Sequence, residues 1–333
     1  MPPCTFLGFM GMTTQEIDAS AVQAEATGPV PGWGWTETAL SLMVLVWGVN
    51  YAVVKHALAQ FDPLAFNAIR FCIASVFVFC VLRAQGELAW PERRDLPRLV
   101  ALGILGNVIY QGCFVLGLAR TPAGSASLIL AVSPVLTALL SAATGHERPG
   151  WRTWAGAAVA VCGVGLVTGT GISVGNGRQV AGDLILLFAA AAWAAYTVSA
   201  RPMVRKYGSV RTTAWTMWVG ATGLILLGSP ALAHQDWERV TSLDWASLVF
   251  SAFFAIGLAY LIWYRGVERI GNTRTAIFSN LSPVVAMVAA AVLLHEQPSH
   301  WALAGAALTL GGVMIVRSDP GHSQPAPASA ADS

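Results

Sequence analysis

Arg70 is the residue in this 333-residue chain whose chemistry and setting are hardest to treat as incidental. It falls about two turns into an apolar run. A guanidinium there is a permanent cation with a planar fork of donors suited to a carboxylate. Left unpaired in hydrocarbon it costs about 3 kcal/mol. Lys55 and Asp62 precede it, and two accounts are open. In one, Lys55 pairs with Asp62 and Arg70 is packed. In the other, Arg70 faces an interior site beside Trp47, Asn50 and Tyr51. Those three residues stand at i, i+3 and i+4 and share one helical face. The pattern returns 146 residues later as Trp193, Tyr196 and Thr197, and a cation follows each indole by eight residues, Lys55 and Arg201. A polar and aromatic stripe in an apolar helix points away from lipid. The competing reading, tryptophans as interfacial anchors, fits poorly, because both lie a third to a half of the way along their runs. With no interior acid to attract a cation, such a site favours an anionic or zwitterionic small molecule.

Other reactive residues point to structure. Glu147 and Glu296 suggest a proton relay, but each ends a helix, follows a histidine and precedes a proline by two residues. The expectation is that they cap or pin the turn. His295, Glu296 and His300 approach a zinc-protease pattern, but the second histidine is one place too far and Pro298 interrupts the helix. The seventeen acidic residues all fall in tails, loops or run ends, so no mid-membrane carboxylate is expected to carry protons. No glycine-rich nucleotide loop and no serine–histidine motif occurs. No catalytic residue, metal site or cofactor is therefore expected. Of five cysteines, Cys72, Cys80, Cys113 and Cys162 lie in apolar runs and Cys4 near the start; all are read as small packing residues.

The elements carrying these residues form a repeat. Ser133-Pro134-Val135, His146-Glu147, Pro149, Ala155-Gly156-Ala157-Ala158 and Gly163-Val164 recur, at a constant offset of 149, as Ser282-Pro283-Val284, His295-Glu296, Pro298, Ala304-Gly305-Ala306-Ala307 and Gly312-Val313. Pro134 and Pro283 fall within apolar runs, where proline removes a helical hydrogen bond and bends the axis, so they read as matched hinges or kinks. Gly156, Ala160 and Gly163, with Gly305, Thr309 and Gly312, give the last run of each half a face for close helix packing, one that also suits a homodimer.

The chain is 55% hydrophobic and 11% charged, with mean hydropathy +0.60. Soluble domains carry about 25% charged residues. Ten apolar runs, near 38–59, 64–83, 98–118, 124–145, 152–171, 183–202, 212–232, 246–265, 273–294 and 301–317, match the ~20 residues needed to cross a bilayer. Backbone groups in lipid must bond within their own segment, so the runs are helices. The fold class is all-α integral membrane, with ten transmembrane helices. Five crossings per half is odd, so the two halves enter from opposite sides and the repeat is inverted. If the N-terminus is cytoplasmic, the inner connections hold fourteen of the 19 lysines and arginines and the outer ones four. That asymmetry places both termini inside. The domains read as a polar tail 1–36, a first repeat 37–171, a second repeat 181–317 and a disordered tail 318–333. The cations form no clustered face for nucleic acid.

The Trp47-Gly48-Val49-Asn50-Tyr51 run with Lys55, Pro63 with Arg70, Pro134 followed by Glu147, and the glycine-rich fifth run together resemble EamA-type proteins of the drug/metabolite transporter superfamily. The resemblance covers residues 37–317. It implies two inverted five-helix repeats, a central cavity, and movement of small polar metabolites such as amino acids across a bacterial inner membrane. The expectation is a secondary transporter, an exporter or facilitator, with a small-molecule substrate and the bilayer as partners. The alternatives are an intramembrane enzyme, or a sensor or assembly subunit that transports nothing.

Overall fold

A computed structural model describes residues 34–144, 150–173, 176–270, 275 and 278–318. All regular structure among them is helical. We number ten helical elements: α1 (Trp35–Ala57), α2 (Pro63–Gln85), α3 (Arg93–Leu118), α4 (Ala123–Ala143), α5 (Trp151–Ser173), α6 (Gly177–Tyr207), α7 (Ser209–His234), α8 (242–270), α9 (Ser282–Leu293) and α10 (His300–Arg317). By length and composition α1 to α8 can each cross a membrane, and α9 and α10 are shorter apolar helices. Residues 1–33 of the expected polar tail 1–36 and 319–333 of the expected disordered tail 318–333, with Glu147, lie outside the described residues, while Trp35 and Thr36 belong to α1.

Local chemistry sets the helix ends. The Asp62 carboxylate accepts from the Leu64 backbone N–H at 2.8 Å, Pro63 occupies the first turn, and Gly86 leaves α2 at φ 69°. Each device satisfies or removes an orphaned terminal group. Glu37 sits in the first turn of α1 and Lys55 and His56 in its last, complementing the helix dipole. Trp35, Trp90, Trp151 and Trp154 are exposed near one end of the bundle, and Trp237 and Trp301 near the other, the positions of interfacial aromatic belts. Leu45, Val76, Phe79, Leu226, Val288 and Met314 face outward between them, as lipid contact requires.

The repeat is visible in three places. First, α4 is not one bent helix. It divides into Ala123–Leu130 and Ser133–Ala143, with Pro134 in the first turn of the second piece, and Pro283 takes the same position in α9. The Val132 N–H bonds the Ile129 carbonyl at 3.3 Å, and its equivalent Leu281 bonds Phe278 at 3.0 Å. The expected mid-span bend is thus a break. Each proline sits where a helix needs no N–H, and no bond is lost to it. Second, α3 and α8 each contain a π-helical stretch, Ile104–Ile109 and Ser251–Leu258. Third, the small faces of α5 and α10 pack against one another. A Cβ added at Gly163 would fall 2.5 Å from the Thr309 N and 2.7 Å from the Gly305 O, and one at Gly156 would fall 2.6 Å from the Gly312 O. Backbones approach this closely only where side chains are absent. The faces that also suited a homodimer are occupied within the chain.

The cysteines depart from expectation. Cys72, Cys80 and Cys162 are exposed on the bundle surface, and Cys113 is half-buried.

Candidate functional site

Between the two ends the halves meet through aromatic residues. The Trp47 indole donates to the Ala255 carbonyl at 2.9 Å and packs on Tyr260 and Trp263 at 6.2 and 5.6 Å. Trp193 packs on Tyr110 at 4.8 Å and Tyr196 at 5.3 Å. The indole of α1 therefore meets a tyrosine of α8, and the indole of α6 meets a tyrosine of α3, as a pseudo-twofold relation requires. Tyr110 then approaches Phe114 at 6.5 Å, and Phe114 approaches Tyr51 at 5.8 Å. Trp47, Asn50, Tyr51, Tyr110, Trp193 and Tyr260 each keep part of their surface uncovered. The Asn50 Oδ1 is buried without a hydrogen-bond partner. Tyr196 bonds Thr216 at 3.2 Å, and the Thr197 hydroxyl folds back on the Trp193 carbonyl at 2.8 Å.

Arg70 lies beside this chain of rings and is 1% exposed. Its NH2 group donates to Asn67 Oδ1 and Gln111 Oε1, both at 2.8 Å, and NH1 to Ser251 Oγ at 3.2 Å. Phe66, Phe71 and Phe114 rings surround the guanidinium at 5.5–5.6 Å. All three hydrogen-bond acceptors are neutral, the Nε–H has no partner, and no carboxylate pairs with Arg70 among the described residues. Ser251 opens the π stretch of α8 and Gln111 lies two residues past that of α3. Both irregular segments therefore deliver a polar group to, or next to, this cation. π stretches gather at functional sites.

Of the two accounts, the pairing of Lys55 with Asp62 does not occur. The Lys55 ammonium donates to the Leu118 and Thr121 carbonyls at 2.7 and 2.9 Å, while Asp62 caps α2. The C-terminal carbonyls of α3 are unsatisfied acceptors, and they win over a carboxylate already engaged with backbone N–H groups. Lys55 and Arg70 share no hydrogen-bond partner among the described residues.

Ties between the halves close both ends. At the Lys55 end, Glu296 accepts from the Ala123 and Gly124 N–H groups at 2.8 and 3.2 Å. This pins α9 to the start of α4 in the other half, where the expectation was its own turn. His295 turns the chain into that position at φ 54°. Thr121 donates to Asp183 at 2.8 Å, Gln235 accepts from Asp62 N–H at 2.7 Å, and His56 lies 3.4 Å from Asp244. At the opposite end Lys206 bridges Asp95 and Glu92 at 2.6 and 2.7 Å. Hydrogen bonding from Lys206 holds the Glu92 carboxyl below its usual range. Trp215 donates to the Ala89 carbonyl at 3.1 Å. A depression of about 280 Å³ at the Lys55 end includes Gly124, Ser125 and Glu296 in its wall, and one of about 360 Å³ at the other is lined by Arg201, Pro202, Arg205 and Lys206.

Asp183, placed by sequence at a span end, is in fact seven residues into α6 and buried at 1% exposure. The sequence reading also missed Asn67, Gln111, Tyr110, Phe114, Ser251, Tyr260 and Trp263. Tyr110 and Tyr260 carried a usable signal, standing 150 residues apart, one from the repeat offset.

Residues 34–169 and 180–318 each match the EamA-like transporter family. The chain belongs to that family. A probable terminal-alkyne amino-acid exporter from Streptantibioticus cattleyicolor is 30% identical over 84% of this chain and 92% of its own length. An uncharacterized transporter from Archaeoglobus fulgidus is 28% identical over 83% and 96%, and the uncharacterized transporter YyaM of Bacillus subtilis is 29% identical over 72% and 80%. A solved crystal structure, 21% identical, superposes with a TM-score of 0.58 over 83% of this chain and 94% of that one, a likeness of fold alone. The family's two matched segments coincide with the two halves, so this is a multi-pass membrane protein of transporter lineage.

Proposed function

We propose that this EamA-family protein is a secondary carrier that exports or equilibrates small zwitterionic or anionic metabolites, amino acids among them. The substrate binds on the interior surface formed by Trp47, Asn50, Tyr51 and Arg70 from one half and Trp193, Tyr196 and Thr197 from the other, completed by Tyr110 and Tyr260. The observation that carries this reading is Arg70, a buried cation between the halves whose hydrogen bonds go only to neutral acceptors. Burying an ion without a counter-charge is costly, and a substrate carboxylate taking over from Gln111 or Ser251 would remove that cost in the bound state. The aromatic rings offer apolar faces for a side chain and a cation–π surface for an ammonium. The amino-acid exporter relative from Streptantibioticus cattleyicolor supports the same substrate class. The lysine and arginine distribution supports cytoplasmic termini, so the Lys55 end faces outward, and family membership supports a place in a bacterial inner membrane.

Full-length protein in liposomes, assayed with labelled amino acids, organic acids and amines, tests this. Arg70→Lys retains charge but loses the planar fork, and is expected to lower carboxylate transport at least tenfold; Arg70→Gln should abolish it. Parent-level transport by both variants, at normal insertion, would make Arg70 structural. Transport of amines in preference to carboxylates would overturn the substrate class.

A further inference from the structure

We infer that Asp183 is a proton-binding site whose occupancy favours closure of the Lys55 end, an inference that rests on the carrier reading for its role but not for its test. Asp183 Oδ1 accepts from Thr121 Oγ1 at 2.8 Å, and Oδ2 is buried with no hydrogen-bond partner. Gly182 permits this approach, since a Cβ there would lie 2.5 Å from the Thr121 hydroxyl. An ionised carboxylate is an acceptor with about four lone-pair sites, and burying it against one hydroxyl is expensive, where a neutral acid is cheap.

The charges nearby are committed elsewhere. Lys55 is held by the Leu118 and Thr121 carbonyls, and Arg120 donates to the Leu116 carbonyl. Glu296 is bonded to the start of α4, and Arg178 stands exposed on α6 itself. Of the other elements packed on α6, α4 carries no ionisable residue. The rest of α3 offers Arg93, Arg94, Asp95, Arg98, Tyr110 and Cys113, α5 offers Arg152 and Cys162, and α7 offers Arg211 and His234. None forms an ion pair with Asp183 among the described residues.

Release of the Asp183 proton to water leaves a carboxylate two hydrogen bonds from the Lys55 ammonium, with Thr121 between them. With Oδ2 unpartnered in the closed end, that anion is stabilised only when water reaches it, so ionisation favours the open end. The closed end then binds one proton more than the open end. Closure is fully present at low pH and is lost as pH rises through the titration of Asp183, by up to about tenfold in the closed-to-open ratio per pH unit.

The test uses full-length protein in detergent, without native cysteines and carrying Ser127→Cys. Ser127 is 2% exposed just behind the turn joining α3 to α4. The rate of modification by a water-soluble maleimide is measured from about pH 5 to 8 and divided by the rate for unfolded protein, which removes the thiol's own ionisation. The corrected rate should rise with pH, and Asp183→Asn, a mimic of the protonated acid, should stay at the low-pH rate throughout. A flat profile in the parent, or the parent's rise retained in Asp183→Asn, overturns the proposal. If the asparagine variant fails to fold, infrared difference spectra of the parent between the same pH limits decide. A carboxylic-acid carbonyl band displaced by Asp183→Glu supports the site, and no such displacement overturns it. Neither readout needs a substrate, so failure of the transport assay leaves this result interpretable.

Discussion

Arg70 shows how a residue's position can be read from sequence while its bonds cannot. Its depth in α2 follows from the apolar run, and Asn67, one turn earlier, was in reach of helical spacing. Gln111 and Ser251 come from α3 and α8, and no local pattern announces that those helices converge. The same holds for Lys55, whose partners are carbonyls and so have no side-chain signature. The neutral surroundings of Arg70 make Gln111 a sharp probe. Gln111→Leu removes an acceptor from a buried charge and should cost about 2 kcal/mol, read as a lower melting temperature. Gln111→Glu supplies an internal counter-ion, and should raise the melting temperature while suppressing carboxylate transport. Glu296 gives a second residue-scale prediction. Glu296→Ala leaves two helix-terminal N–H groups of α4 without an acceptor and should cost about 1 kcal/mol, whereas Glu296→Gln, retaining one, should cost less. Both effects are measurable by thermal unfolding in detergent.

At the scale of elements, the prolines of α4 and α9 were legible as points where the axis deviates. Their mechanical role was not, because the sequence does not say on which side of the break a proline falls. Since Pro134 stands in the first turn of the second piece, Pro134→Ala should change stability by less than about 1 kcal/mol. A proline interrupting a continuous helix would give about 3 kcal/mol on removal, and thermal unfolding separates the two. The π stretches in α3 and α8 had no marker residue at all. They follow from one extra residue per turn being accommodated where Gly106 abuts the Tyr196 ring and Gly257 abuts Phe77, contacts that exist only once the halves have docked. The small faces of α5 and α10, by contrast, were plain in the sequence, and only their mutual pairing awaited the structure.

At the scale of the molecule, composition and the 149-residue offset were sufficient for the class, the ten helices and the duplication, because both are properties of long segments and average over local error. Orientation rests on the distribution of lysine and arginine. A reporter active only outside the cytoplasm should stay silent when fused after Ser333 and give signal when inserted at Gly175; the reverse result would invert the protein in its membrane. For the carrier proposed above, the cross-half ties at both ends mean that passage through the interior needs one set broken while the other holds.

The glycine contact between α5 and α10 constrains how that alternation is achieved. Two backbones seated against one another through Gly156, Gly163, Gly305 and Gly312, with the Val167, Thr309 and Val316 side chains fitted beside them, leave no room for either helix to slide along the other without collision. In the proposed transport cycle they serve as a fulcrum, about which the remaining helices of each half tilt as the two ends exchange accessibility. Distances between spin labels placed on the lipid faces of α5 and α10 should then stay constant through the transport cycle, while labels beside Glu296 and Gly124 move apart and together.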